Sequence, residues 1–290
     1  MIEIKNLSKI YRKSKVKALD NVSLIVGKGI FGLLGNNGAG KTTLMNILTT
    51  LADFTEGEVY IKGIKLEEKN YTLLREMIGY MPQESGGYPN LSARDTLDYF
   101  GILNGLTTVE RKNKTCDLLD YLNLEKHVNK KFKNLSGGMK RRLSLGIALI
   151  SDPEILIVDE PTTGVDPNER IKMRNLLLKL GEEKTIILST HIIEDVSYIC
   201  ERLAILFEGK RKYEGDIKNL MEEVGRKTWE IEVNNEKRLK QIIEENLVAG
   251  IVRGHRKSKV KIISHEKPYG EAVLVEPTLE DAYIAIERMW

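Results

Sequence analysis

Residues 30–48 read Ile30-Phe31-Gly32-Leu33-Leu34-Gly35-Asn36-Asn37-Gly38-Ala39-Gly40-Lys41-Thr42-Thr43-Leu44-Met45-Asn46-Ile47-Leu48. An apolar run, a glycine-rich bend and apolar residues at helical spacing predict strand, loop and helix, the context in which this pattern forms a phosphate-binding P-loop. Gly35, Gly38 and Gly40 lack a Cβ, so the loop can take left-handed dihedrals and bring its N–H groups close to a polyphosphate. The helix that follows turns its positive end, about half an elementary charge, towards the same anion. Lys41 is placed to neutralise the β- and γ-phosphates and the Thr42 hydroxyl to ligate Mg²⁺. Gly35, Asn36, Asn37, Gly38, Ala39, Gly40, Lys41, Thr42 and Thr43 are therefore the expected nucleotide-binding loop. The loop does not select a reaction, since kinases, GTPases, motors and transport ATPases share it.

Composition leaves the class open. The 290-residue chain is 41% hydrophobic and 30% charged with a formal net charge of +3, which fits one large or two modest globular domains and argues neither for nor against nucleic acid. The start carries no basic segment followed by an apolar h-region, and no stretch approaches the roughly eighteen apolar residues of a spanning helix. A cytoplasmic protein is expected. Cys116 and Cys200 are far apart without metal spacing and the four histidines are scattered, which predicts a reduced compartment and no structural zinc.

Around the loop the chain alternates strand and helix signals. Ile2 and Ile4, then Val22 to Val26, read as strands ahead of the loop strand. Between them Tyr11 lies in a basic segment read as a loop, Lys9-Ile10-Tyr11-Arg12-Lys13; it can stack on a purine ring or simply pack. Residues 57–61 and 78–81 read as further strands, the second broken by Pro82 before Gln83-Glu84-Ser85-Gly86-Gly87. Gln83, at a strand end, can offer its amide oxygen to Mg²⁺ or to a water, or be merely solvated. From Ser92 the pattern turns helical: Ser92 and Asp95 form a capping box before a face of Leu97, Phe100 and Leu103. A second helix runs through Cys116, Leu118, Leu119 and Leu122. The segment reads as an α-helical insertion in an α/β domain, ending at Leu135-Ser136-Gly137-Gly138-Met139. There Ser136 is an N-cap with two glycines in the first helical turn, a second helix start prepared for an anion.

Ile155-Leu156-Ile157-Val158-Asp159-Glu160 predicts a buried parallel strand that delivers two carboxylates to the edge where open α/β sheets bind ligands. Asp159 suits Mg²⁺ and Glu160 suits deprotonating a water aimed at a γ-phosphate. Asn168 to Leu180 reads as a helix with Ile171, Leu176, Leu177 and Leu180 on one side. Thr185 to Thr190 is another buried strand, with His191 just past its end, where a neutral imidazole can reach a phosphate or a water.

The order and identity of these pieces resemble the nucleotide-binding subunit of an ATP-binding cassette (ABC) transporter over roughly residues 1–220. In that resemblance residues 35–43 are Walker A, Gln83 the Q-loop, Leu135 to Met139 the signature motif, and Ile155 to Glu160 Walker B with the catalytic glutamate. Val165-Asp166 is the D-loop, His191 the switch histidine and Tyr11 the adenine-stacking aromatic. Met139 departs from the glutamine of many members. The resemblance implies a P-loop NTPase fold: a RecA-like core, an N-terminal antiparallel β subdomain and a helical subdomain at about 90–150. It implies ATP and Mg²⁺ as cofactors, with Thr42, Gln83 and Asp159 as metal ligands and Glu160, His191 and Gln83 as catalytic residues. It also implies a dimer, with a second copy or a homologous subunit, in which Ser136, Gly137 and Gly138 contact the nucleotide in trans. A separate integral-membrane permease is the implied further partner, with the chain peripheral on the inner face of the membrane.

Residues 226–290 read as a small α+β accessory domain. Trp229, Ile231 and Val233 alternate as a strand; Leu239, Ile242, Ile243 and Leu247 mark a helix; residues 259–263 and 272–275 are strands; Thr278 and Asp281 cap a final helix. The basic piece Arg253 to Lys259 reads as a solvated hairpin. Residues 276–282 resemble the tail of stand-alone ATPase subunits of bacterial and archaeal exporters, including drug-efflux systems. The rival reading, a soluble ABC-type ATPase acting on nucleic acid or the ribosome, would call for two cassettes or long coiled coils, and the sequence has neither; no nucleic-acid partner is expected.

Overall fold

The computed structural model describes residues 1–11, 15–84, 86–254 and 257–289. Arg12, Lys13, Ser85, His255 and Arg256, which fall within segments discussed above, lie outside the described residues. Two compact units divide the chain: residues 1–200 with 206–211, and residues 201–205 with 212–290.

In the first unit, β1 (Ile2–Tyr11) and β2 (Val16–Val26) form an antiparallel ladder. β3 (Gly29–Leu34) leads through the glycine-rich loop to α1 (Lys41–Leu48). β4 (Glu56–Ile61) and the short β5 (Ile64–Lys65) complete an antiparallel sheet of order β2-β1-β4-β5. Ile2, Ile4, Val22, Leu24 and Val26 are buried with the period of a half-buried strand. The β1–β2 register slips between Ile4 and Leu7, where Asn6 takes a φ of 50° and exchanges hydrogen bonds with Ser23, as at a bulge. Tyr11 is not in a loop: it is the last residue of β1, opposite Val16. Backbone pairing carries the strand past its last inward-facing apolar residue, which apolar periodicity alone does not reveal.

Next come α2 (Tyr71–Met77), β6 (Ile78–Met81), α3 (Ala93–Leu103), α4 (Thr108–Tyr121) and α5 (Gly137–Leu149). They are followed by β7 (Ile155–Asp159), α6 (Pro167–Gly181), β8 (Thr185–Thr190) and α7 (Ile193–Ile199). β3, β8, β7 and β6 lie side by side in that order, all parallel. Every residue of β7 and β8 is buried, as strands covered on both faces require. Capping boxes start α3 at Ser92 and Asp95 and α4 at Thr107 and Glu110, each fixing a helix origin by about 1 kcal/mol.

Two helix faces differ from the sequence reading. Leu103 is exposed, and α3 turns Ala93, Thr96, Leu97 and Gly101 inward. Small residues win that face because α4 packs close: a Cβ on Gly101 would sit 3.0 Å from the Arg111 side chain. Ile171 is likewise exposed, while Met173, Arg174, Leu176 and Leu177 of α6 are buried; Arg174 points inward because a buried carboxylate, Asp195, awaits it.

β9 (Arg202–Phe207) and β10 (Lys210–Asp216) are the strands in which the chain passes between units. The second unit continues with α8 (Ile217–Gly225), β11 (Thr228–Val233), α9 (Glu236–Glu245), β12 (Leu247–Arg253), β13 (Ser258–Ile263), β14 (Val273–Leu274) and α10 (Leu279–Met289). Its antiparallel sheet has the order β12-β13-β11-β14, with Ile231, Val233, Leu239, Ile242, Val260 and Ile262 as core. Leu247 is not on the α9 face: Asn246 takes an extended conformation and Leu247 opens β12. A continuous apolar run of this length fits either period, so residue spacing does not separate strand from helix there. Thr278 and Asp281 exchange hydrogen bonds at the start of α10 as expected. The α/β P-loop architecture with an antiparallel layer and an α+β tail is the fold the sequence implied.

Candidate nucleotide site

The glycine-rich loop is closed on itself before any ligand is considered. Gly40 has a φ of 103°, and a Cβ there would lie 2.5 Å from the Ala18 carbonyl oxygen, so both conformation and space demand glycine. Directly after it α1 begins with Lys41, whose side chain is almost fully buried. Lys41 Nζ donates to the Gly35 carbonyl at 2.6 Å and the Asn36 carbonyl at 3.3 Å, and lies 3.6 Å from Glu160 Oε1. Burial pulls its pKa below the ordinary lysine value, opposed by the carboxylates of Glu160 and Asp159. The Thr42 hydroxyl donates to Asp159 Oδ2 at 3.1 Å.

The two carboxylates arrive on β7, and the parallel register decides what they meet. Asp159 lies opposite Ser189, and the Glu160 N–H donates to the Ser189 carbonyl at 2.9 Å. That places the next residues of both strands together: His191 Nδ1 is 2.9 Å from Glu160 Oε1 and 2.8 Å from Oε2. Thr163 Oγ1 donates to Oε2 at 2.8 Å. Glu160 adopts a φ of 51°, an uncommon conformation for a residue with a Cβ and one that costs of order 1 kcal/mol. The chain turns sharply there, keeping the carboxylate over the end of the strand.

Asp159 is fully buried, and its Oδ1 has no hydrogen-bond partner among the described residues. Burial pushes its carboxyl above the ordinary value of 3.8, opposed first by the hydroxyls of Ser189 and Thr42, with Glu160 adding to the rise and Lys41 reducing it. A buried carboxylate oxygen without a donor, beside a threonine hydroxyl, is the oxygen donor set a Mg²⁺ ion suits. Without metal it is a liability. Asp159→Asn is therefore expected to stabilise the nucleotide-free protein in metal-free buffer by about 1 kcal/mol, or roughly 2–4 °C in Tm. Because the folded-state pKa is raised, the native state holds this proton more tightly than the unfolded chain. The penalty is therefore absent below 3.8 and grows as pH rises through the folded value. The Tm advantage of Asp159→Asn should shrink on acidification; an advantage independent of pH would rule out the buried charge as its source.

A cleft of about 560 Å³ gathers Tyr11, Asn37, Gly38, Gly40, Lys41, Thr42, Thr43, Gln83 and Glu160. Tyr11, with its hydroxyl 3.4 Å from Thr43 Oγ1, is 40% exposed, and the Lys9 ammonium lies over its ring, 5.2 Å from the centroid. Gln83 is exposed, and its carbonyl accepts from the Arg141 guanidinium of α5. Gly35, Asn36 and Ala39 do not line the cleft; the Gly35 and Asn36 carbonyls instead hold Lys41. Val16, Lys17, Ala18 and Glu208 complete the lining. No sequence signal marked them, because they come from β2 and from the β9–β10 turn. Thr163 carries no sequence signal either: its contact with Glu160 depends on the turn and not on a spacing.

Ser136, Gly137 and Gly138 are elsewhere and line none of this cleft. Ser136 caps α5, accepting the Met139 N–H at 3.2 Å. A Cβ on Gly138 would lie 2.3 Å from the Glu169 carboxylate, whereas one on Gly137 would meet nothing within 4 Å. Packing therefore accounts for Gly138, and Gly137 leaves the start of α5 open.

The ABC transporter family model matches residues 19–163, half of the chain. The chain belongs to the ABC transporter family. It is an ATP-binding and ATP-hydrolysing cassette of that family. The linearmycin resistance ATP-binding protein LnrL of Bacillus subtilis (strain 168) is 36% identical over 211 residues, covering 72% of this chain and 67% of that protein. The Nod factor export ATP-binding protein I of Sinorhizobium fredii is 39% identical over 248 residues, 83% of this chain and 71% of that one. With mouse ATP-binding cassette sub-family A member 17 the match, 38% over 212 residues, spans 12% of that protein. Among solved structures, the dimeric structure of MJ0796, a bacterial ABC transporter cassette, superposes with a TM-score of 0.68 at 32% identity, covering 75% of this chain and 99% of that one. A post-hydrolysis state of that cassette bound to ADP and Pi has a TM-score of 0.68 at 31% identity over the same shares. No helix among the described residues of this ABC cassette is long and apolar enough to cross a membrane.

Proposed function

We propose that this cassette is the ATPase subunit of an exporter. It binds MgATP jointly with a second cassette, its own copy or a homologous subunit, and passes closure to a separate integral-membrane permease. One observation carries the reading: Lys41, Thr42 and Glu160 line one cleft, with Asp159 bonded to Thr42 and His191 to Glu160 just outside its lining, while the capped helix start at Ser136 neither lines the cleft nor bonds to a residue that does. A single chain thus holds half of each of two anion sites, which a two-fold dimer would complete. Residues 35–43 hold the phosphates, Tyr11 stacks on adenine, and Ser136, Gly137 and Gly138 contact the nucleotide of the partner.

Thr42, Asp159 and Gln83 would hold Mg²⁺, which when bound neutralises charge on the phosphates. Glu160 takes a proton from the attacking water as ATP and water become ADP and phosphate. His191 and Thr163 hold its carboxylate in place, and Gln83 orients the water. Export is supported by the names of two relatives, a linearmycin resistance and a Nod factor export ATP-binding protein. The division of labour is an ATPase domain over residues 1–220 and an accessory domain over 226–290. The chain works in the cytoplasm, peripheral to the inner face of the membrane, without nucleic acid. Purification of the tagged chain from membranes of its own source is expected to recover a polytopic membrane protein in near-stoichiometric amount. Recovery of RNA or DNA with no membrane protein would overturn the transport reading.

A further inference from the structure

Asp195 is a carboxylate with 1% exposure in the first turn of α7, four residues after His191. Its Oδ1 lies 2.6 Å from both Nε and Nη2 of Arg174 on α6, and Oδ2 accepts the hydroxyl of Thr162, two residues after Glu160. Thr162 is 1% and Arg174 8% exposed. The outer face of the Arg174 guanidinium is covered by the Tyr198 ring at 4.7 Å. Buried charges persist when paired and fully hydrogen-bonded, and this one meets both conditions. What it joins is specific: the turn that follows Glu160, the helix that follows His191, and α6.

We propose that Asp195 is a positioning residue for the Glu160–His191 pair, acting through Thr162 and anchored by Arg174. The proposal rests on the reading of Glu160 as the residue that deprotonates water. Glu160 sits at a φ of 51° in a sharp turn, with β7 on one side and Pro161-Thr162 on the other. His191 stands in a turn whose local bond is Thr190 Oγ1 accepting the Ile192 N–H at 3.0 Å. Either turn alone leaves its side chain a range of directions. The Thr162–Asp195 hydrogen bond ties the exits of both turns together, so the 2.8–2.9 Å contacts between Glu160 and His191 are held from behind.

Thr162→Val keeps the volume, removes the hydroxyl and leaves Asp195 paired with Arg174, so the fold should persist. We expect it to lower kcat about tenfold or more, the scale of a modest misplacement of a reacting group, with KM for ATP and nucleotide affinity within about twofold. Thr162→Ser, which restores the hydroxyl, is expected to recover kcat to within about twofold of the unmodified protein. In a His191→Ala background, under single-turnover conditions, the loss from Thr162→Val should shrink to less than about twofold, because the partner to be positioned is gone. A normal kcat in folded Thr162→Val, a full additive loss in the His191→Ala background, or a Thr162→Val chain that does not fold would each make the network a structural brace and overturn the proposal. Failure of the Glu160 reading itself shows separately, as turnover retained in Glu160→Gln.

Discussion

Glu160→Gln is expected to lower ATP turnover by about 10²- to 10⁴-fold while ATP affinity stays within about twofold, the range for loss of a general base. The amide matches the carboxylate in shape and can still accept from Thr163 Oγ1 and meet His191 Nδ1, the two contacts that hold Glu160 in place. It cannot accept a proton from water. Its charge is also lost beside Lys41, 3.6 Å away, which leaves the lysine freer to attract phosphate. Binding should therefore not weaken. Phosphate release gives the first quantity and equilibrium dialysis of labelled ATP the second. Turnover near that of the unmodified protein would remove Glu160 from its role; a large loss of affinity would mean that the variant disturbs the phosphate loop.

Gly137→Asp is the second substitution with a large expected effect, and its value lies in what it spares. Nothing lies within 4 Å of a Cβ at Gly137, and an acidic residue in a first helical turn favours the helix dipole. Tm should hold or rise slightly. Turnover should nevertheless fall by about 10²-fold or more, because a carboxylate would stand where the proposed dimer brings the partner's γ-phosphate. Lys41→Ala, which removes the phosphate cation, should be similarly inactive. Mixing the two inactive proteins is the decisive measurement. If the Ser136 region acts on the partner's nucleotide, each mixed dimer regains one intact site, and activity should return to about a quarter of normal for random pairing and independent sites. If it acts within its own chain, or only with a different subunit, mixing restores nothing.

The other measurements separate chemistry from architecture in the same way. The pH-dependent Tm gain of Asp159→Asn reads the cost of a buried charge. The Thr162→Val series reads positioning at constant affinity. Both concern residues with full or near-full burial, and neither substitution leaves a large cavity, so the expected stability changes stay small beside the catalytic ones.

Much of this was legible in the order of residues because the features are local. The phosphate loop needs its glycines, lysine and threonine within nine consecutive positions, and its flanks need only an apolar run and a helical repeat. The Ser136 cap and the Ser92–Asp95 and Thr278–Asp281 boxes are devices of four consecutive residues that work wherever they fall. Where the pattern had two readings, it misled. Leu247 belongs to β12 and not to α9. Leu103 and Ile171 face outward because small or charged neighbours on the same helices fit the packing better.

From the order of residues alone it follows that a polyphosphate is bound, which strand brings the acids, and that a second capped helix start exists. These follow from backbone chemistry within a few residues. Long-range packing is what brings Glu160 and His191 into contact, bonds Asp195 to the turn behind them, sets Glu169 against Gly138 and nothing against Gly137, and adds Glu208 to the cleft. Each depends on the register between parallel strands or on helices meeting across long stretches of chain. A one-residue change of register between β7 and β8 would part Glu160 from His191 without altering a single local signal.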